Sequence, residues 1–215
     1  MTKNVDSQVS ITGSSYFQPI TCLIEQWLKH PKPRTNAVQS GYYEYGFSCS
    51  VILLLVAMFE SYMVRVRYIN KYKVPAKLRT ALDVLFYVYP AVRNKKALTD
   101  VYVIRDAIFH NHLWELEYTW GGTQSMSLIG AAKHPAFGDK KYTARVNQKT
   151  RKTKALGLSV VPTRVNRTDV KKVFSTLWKT LLLIEKNDRS QVYVSHLHVR
   201  FKGKTRLFGE IVDEL

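Results

Sequence analysis

In the stretch VIRDAIFHNHLWELEY, Val103 to Tyr118, an arginine, an aspartate and two histidines stand among apolar residues. Asp106 and His110 are four residues apart, which puts them on one face of a helix. A carboxylate so placed accepts a hydrogen bond from one imidazole nitrogen, fixes the tautomer and raises the basicity of the other nitrogen. Arg105 lies five residues before His110, about 7.5 Å along a helix axis. On a straight helix its Cα points away from His110, so its long side chain must curl back or reach a site shared with a second subunit. A base and a fixed cation beside one phosphate are what phosphodiester cleavage requires. One removes a proton, and the other stabilises charge building on the phosphoryl oxygens. The plainer reading is that Asp106 belongs to an exposed ion-pair pattern.

Other histidines are weaker candidates. His110-Asn111-His112 is not a metal-gripping nuclease motif, because three adjacent residues of one helix cannot converge on one ion. His196 and His198 would share one face of a strand, an arrangement that suits zinc or a phosphoesterase. No third ligand accompanies them. The chain has no phosphate-cradling glycine loop, no cysteine-based zinc pattern and no nucleophile elbow, so no metal or cofactor is expected.

The charge points to a polyanionic partner. Lys and Arg number 33 against 16 acids, a formal net charge of +17, and the pI is about 9.9. Nucleic acid or an acidic membrane surface fits such a surplus. The most basic segment, KKYTARVNQKTRKTK, offers Lys140, Lys141, Arg145, Lys149, Arg151, Lys152 and Lys154 to a phosphate backbone. The two cysteines, Cys22 and Cys49, form no paired motif, which suits a reducing compartment. The first ten residues lack the apolar core of a secretory signal. The apolar run Phe47 to Phe59 is too short to cross a bilayer and reads as a buried helix. A cytoplasmic protein with no membrane partner is expected.

The elements that must carry these residues read as follows. Residues 1–20 are polar and predict a loosely held arm, followed by a short helix over TCLIEQWLKH that ends before Pro31. A long helix runs from about Tyr43 to Lys71, apolar on every side in its first half. Pro75 suits the first turn of another, with Leu78, Leu82, Leu85 and Tyr89 at helical spacing and Pro90 as its stop. The helix bearing Arg105 is expected from about Thr99 to the glycines of WGGT. Residues 121–165 predict an exposed basic loop with short strands at most. Asn166 or Thr168 caps a further helix whose stripe is Val170, Val173, Phe174, Leu177, Leu181 and Ile184. The tail alternates like a β-hairpin turning near Lys202-Gly203. The expected organisation is an arm and short helix over 1–40, a helical domain over 41–190 and a β appendage over 191–215.

Arg105-Asp106-x-x-x-His110 resembles the R-polar-x3-H signature of HEPN-domain proteins (higher eukaryotes and prokaryotes nucleotide-binding). Glu60, in MFESYMVRVRY, resembles the acidic residue that many members carry on the first long helix. The features span roughly residues 41–120, and the helix after Asn166 would complete the bundle. The resemblance implies a mainly α, up-and-down bundle acting as a metal-independent endoribonuclease on RNA, with 2′,3′-cyclic phosphate and 5′-hydroxyl ends. It further implies a homodimer in which two motif helices face each other, a toxin or anti-phage defence role, and a possible antitoxin or regulatory partner. His110 would be the acid–base group, Arg105 the phosphate clamp and Asp106 the positioning group, with Glu60 nearby. Members controlled by tyrosine modification carry tyrosine two residues after the motif histidine, where this chain has His112. Two alternatives stand beside this: a non-catalytic RNA- or nucleotide-binding module, and a basic helical DNA-binding regulator.

Overall fold

A 28-residue helix, α2 (Tyr42–Ile69), runs through the middle of the protein. At 1.5 Å per residue it is about 42 Å long. Val51, Ile52, Leu55, Val56, Met58, Phe59, Tyr62, Met63 and Val66 are all buried along it, on more than one side. That is why its sequence shows no clean stripe: other elements pack around it. These are α1 (Phe17–Leu28), α3 (Ala81–Val88), α4 (Lys95–Phe109) and α5 (Arg167–Asn187). By length and composition α2 would also suffice to cross a membrane, and half of its most apolar window is buried within the protein. The structure, a computed structural model, describes residues 12–33, 39–110, 114–118, 126–131 and 144–215.

The chain is docked earlier than a loose arm to residue 20 would allow. Gly13–Tyr16 form a 3-10 turn, and a Cβ on Gly13 would lie 2.8 Å from the Tyr62 ring, so only glycine fits that approach. Phe17, Ile20, Ile24 and Trp27 then form the buried stripe of α1. The polar composition of residues 1–20 conceals that two of its last residues, Phe17 and Ile20, are core. Residues 1–11 of the expected arm lie outside the described residues.

α3 starts six residues later than Pro75 suggests. Thr80 Oγ1 accepts a hydrogen bond from the Asp83 N–H at 3.1 Å, and the Asp83 carboxylate accepts one from the Thr80 N–H at 3.3 Å. This reciprocal cap sets the first turn.

α4 also differs from its expected limits. It begins at Lys95 and ends at Phe109, with His110 as its C-cap, instead of running to the glycines. Trp114–Tyr118 is a strand, β1, paired antiparallel with β2 (Met126–Ala131), with a bulge between Glu115 and Leu116. The residues WELEY alternate apolar and acidic with a period of two, which is a strand pattern. The motif therefore straddles a helix end.

Segment 144–165 is tied down more than an exposed loop would be. Two-residue strands β3 (Val146–Asn147) and β4 (Lys152–Thr153) pair there, and Val146, Leu158, Val160 and Val161 are buried. Asp100 of α4, fully buried, accepts hydrogen bonds from the N–H groups of Ala155 (2.7 Å) and Leu156 (2.9 Å) and from the Arg145 guanidinium.

α5 opens on the Asn166 cap, and its stripe is buried. The C-terminal hairpin, β5 (His198–Phe201) and β6 (Lys204–Leu207), turns at Lys202-Gly203, both with positive φ (48° and 76°). That turn matches the twist of the strands. Phe208–Glu214 then forms a 3-10 segment, not more strand. Phe208 is fully buried and stacks on Phe17 at 4.1 Å, so the end of the tail packs into the core. The fold is mainly helical with small antiparallel two-stranded sheets.

Candidate functional site

The α2–α4 packing brings Glu60 and Arg105 together. Glu60, Met63, Val64 and Arg67 recur at helical spacing and share one face of α2. Tyr102, Arg105 and Asp106 share one face of α4 by the same rule. Where the faces meet, Arg105 Nη2 donates to Glu60 Oε1 at 3.1 Å and Arg105 Nη1 lies 3.0 Å from Asp106 Oδ1. The guanidinium also sits 5.3 Å from the centre of the Tyr102 ring. Arg105 Nε is shielded from solvent and has no hydrogen-bond partner among the described residues. Burial, with the Glu60 charge beside it, raises the Tyr102 hydroxyl well above the ordinary tyrosine range.

These residues wall a cleft of about 480 Å³, closed on its third side by Arg79 and Thr80 at the start of α3. Arg67 lines it too and donates to the Ala76 carbonyl at 3.4 Å. Three guanidiniums thus face two carboxylates, Glu60 and Asp106, and both carboxylates are engaged by Arg105. An anion entering the cleft meets a net positive wall.

His110 lies at the margin. Its backbone N–H donates to the Asp106 carbonyl at 3.0 Å, and its exposed ring meets Phe109 edge-on at 5.2 Å. Among the described residues no hydrogen bond joins its imidazole to the Asp106 carboxylate, which turns to Arg105 instead. The tautomer-fixing contact expected from the four-residue spacing is thus not made here. His112 lies outside the described residues.

The basic candidates divide. Arg145 is committed to Asp100, with Nε at 2.8 Å, and to the Lys96 carbonyl at 3.0 Å, so it holds the segment in place. Lys149, Lys152 and Lys154 are exposed, and Arg151 is half-buried with φ 54°. Lys154 Nζ donates to the Ala144 carbonyl at 2.8 Å. Lys140 and Lys141 lie outside the described residues. Lys152 joins Arg164 and Lys172, which the sequence did not single out, around a recess of about 220 Å³ beside Asp169.

Arg67 and Arg79 were also missed. Arg67 carried a signal, since it falls seven residues after Glu60, two turns along the same face. Arg79 carried none, because nothing in its neighbours reveals which helix it will meet.

His196 and His198 do not share a strand. β5 opens at His198, while His196 precedes it and stacks on Tyr193 at 3.5 Å. Among the described residues no group of three His, Cys, Asp or Glu side chains is placed to hold a metal ion. Searches against family models, curated proteins and solved structures find no match to this chain, so the HEPN resemblance rests on the motif and its setting alone.

Proposed function

We propose that the protein is a metal-independent endoribonuclease of HEPN type, working as a homodimer. The observation that carries this reading is the Glu60–Arg105 contact across α2 and α4, on the wall of an arginine-lined cleft, one helical turn from the exposed His110. Arg105, with Arg67 and Arg79, would hold the scissile phosphate. His110 of one copy would take the proton from the ribose 2′-hydroxyl. The 2′-oxygen then bonds to phosphorus, the bond from phosphorus to the 5′-oxygen breaks, and His110 of the other copy protonates that oxygen. The ends are a 2′,3′-cyclic phosphate and a 5′-hydroxyl. Each such proton transfer contributes roughly 10²–10⁴-fold in rate.

Two exposed apolar residues near the motif support a second copy there. Val64, on the cleft wall, and Phe109, next to His110, are each 67% exposed. A toxin or anti-phage role in the cytoplasm, and an antitoxin partner, follow from the resemblance only.

The test is incubation of purified protein with RNA in excess EDTA beside His110→Ala and Arg105→Ala. Cleavage with cyclic-phosphate ends that disappears in both variants is the expected result. A second reading, an RNA-binding module without catalysis, draws on two observations: Arg105 is engaged by two carboxylates, and Asp106 does not hold His110. RNA binding without cleavage would favour it and would sink the first.

A further inference from the structure

The opposite side of α2 borders a second cavity. Arg65 follows Glu60 by five residues, which turns it about 140° around the helix from the cleft. The cavity measures about 450 Å³. Its wall is made by Ser14, Tyr62 and Arg65 together with Arg189, Tyr193 and His196 from the segment after α5. Small-ligand sites are usually about 300–1,000 Å³, so the size fits a compact metabolite.

The wall has a definite chemistry. It contains two guanidiniums, an imidazole and hydroxyls, and no carboxylate among the described residues. The nearby acids are spent elsewhere. Glu185 accepts hydrogen bonds from the N–H groups of Val194 and Ser195 and from the Ser195 hydroxyl. Asp188 accepts from Ser190 and Gln191.

The cations are also positioned. The Tyr193 ring has the Arg189 guanidinium 4.3 Å from its centre and the His196 ring at 3.5 Å. Tyr193 thus holds both groups at the cavity wall. Arg65 Nη2 donates to the Ser190 carbonyl at 3.2 Å, which ties α2 to the same segment. His196 Nδ1 is shielded from solvent and lacks a hydrogen-bond partner among the described residues.

We propose that this cavity binds a phosphomonoester. Arg65 and Arg189 take the phosphate dianion, whose geometry guanidinium forks match, and His196 gives a further hydrogen bond. The apolar wall of Tyr62 and Leu197 receives the organic part. The phosphate belongs either to a free small molecule or to the end of an RNA strand. The site is independent of the nuclease reading, because neither Arg105 nor His110 lines it.

The experiment is calorimetric titration of the full chain with inorganic phosphate, adenosine 5′-monophosphate, adenosine, and two short RNAs that differ only in a 5′-phosphate. Saturable binding of a phosphate-bearing probe and none of adenosine is expected. Arg189 is exposed, so Arg189→Gln should fold normally, with Tm as the check, and should weaken binding at least tenfold. His196→Gln should weaken it as well. Preference for the 5′-phosphorylated RNA over its twin assigns the site to a strand end. Equal affinity for the two RNAs, with adenosine monophosphate bound, assigns it to a small molecule. If no phosphate-bearing probe binds saturably, or if both site variants bind like the native protein, the proposal is wrong.

Discussion

Glu60 of α2 holds Arg105 of α4 through a 3.1 Å contact that bridges 45 positions of sequence. The two side chains are 40% and 28% exposed, so the pair contributes little to stability, about 1 kcal/mol or less. Its consequence is geometric: it fixes where the guanidinium points. Glu60→Gln keeps one acceptor oxygen but removes the charge. On the nuclease reading we expect kcat for RNA cleavage to fall by about tenfold with KM nearly unchanged, and Tm to move by only a few degrees. A fall in Tm that matches the loss of activity would make Glu60 a structural residue.

Glu44 is the reverse case, a buried charge with a stability role. Its carboxylate accepts hydrogen bonds from Trp27 Nε1 (3.0 Å), the Arg167 N–H (2.9 Å) and Arg167 Nε (3.1 Å). It thereby joins α1, α2 and the start of α5. Removing one partner of a buried pair leaves the other uncompensated, at a cost of about 3–5 kcal/mol. Glu44→Ala should therefore shift the urea unfolding midpoint strongly downward. A change under about 1 kcal/mol would show that Arg167 finds solvent or another acceptor.

Legibility from sequence followed the locality of the cause. The stripe and cap of α5 and the turn at Lys202-Gly203 depend on neighbours within a few residues, and all were readable. Glu44 was not, because Trp27 and Arg167 meet it only in three dimensions. Phe208 read as strand because the alternation before it carried on past the hairpin in the letters alone. α4 ends well before the glycines of WGGT because WELEY, with its two-residue alternation, forms a strand between them. At the candidate site, Glu60 and Arg105 could be paired only through the resemblance. Arg79 reaches the cleft because α3 packs on α2 there, a contact the local sequence does not encode.

The basic segment makes a separable prediction. Lys149, Lys152 and Lys154 are exposed, whereas Arg145 is bound to the buried Asp100. If the lysines contact RNA phosphates, replacing all three by alanine should lower the slope of log affinity against log salt by about 2, at about 0.7 per phosphate. Stability should hardly change. Arg145→Ala should do the opposite: lose roughly 3 kcal/mol of stability by stranding Asp100, with affinity falling only as the segment loosens. Filter binding across a salt series and urea unfolding distinguish the two. An unchanged slope in the triple variant removes these lysines from the RNA interface.

Asp169 gives the fold one pH-dependent contribution. It is buried at the first turn of α5 and accepts hydrogen bonds from the N–H groups of Ser159 and Asn166, each at 3.2 Å. Burial pushes its carboxyl from 3.8 to about 6, against the pull of those hydrogen bonds and of Lys172 and Lys152. The folded state therefore holds this proton more tightly than the unfolded chain does. Its contribution is fully present below 3.8 and is lost as pH rises through about 6. The whole span is worth about 3 kcal/mol at most, at about 1.4 kcal/mol per pH unit. Asp169→Asn cannot titrate but keeps an oxygen that accepts a hydrogen bond. The stability of the variant relative to the native protein should accordingly improve as pH is raised from 4 to 7. Urea unfolding of both proteins across that range measures it, and a difference that stays flat would mean that Asp169 is ionised throughout.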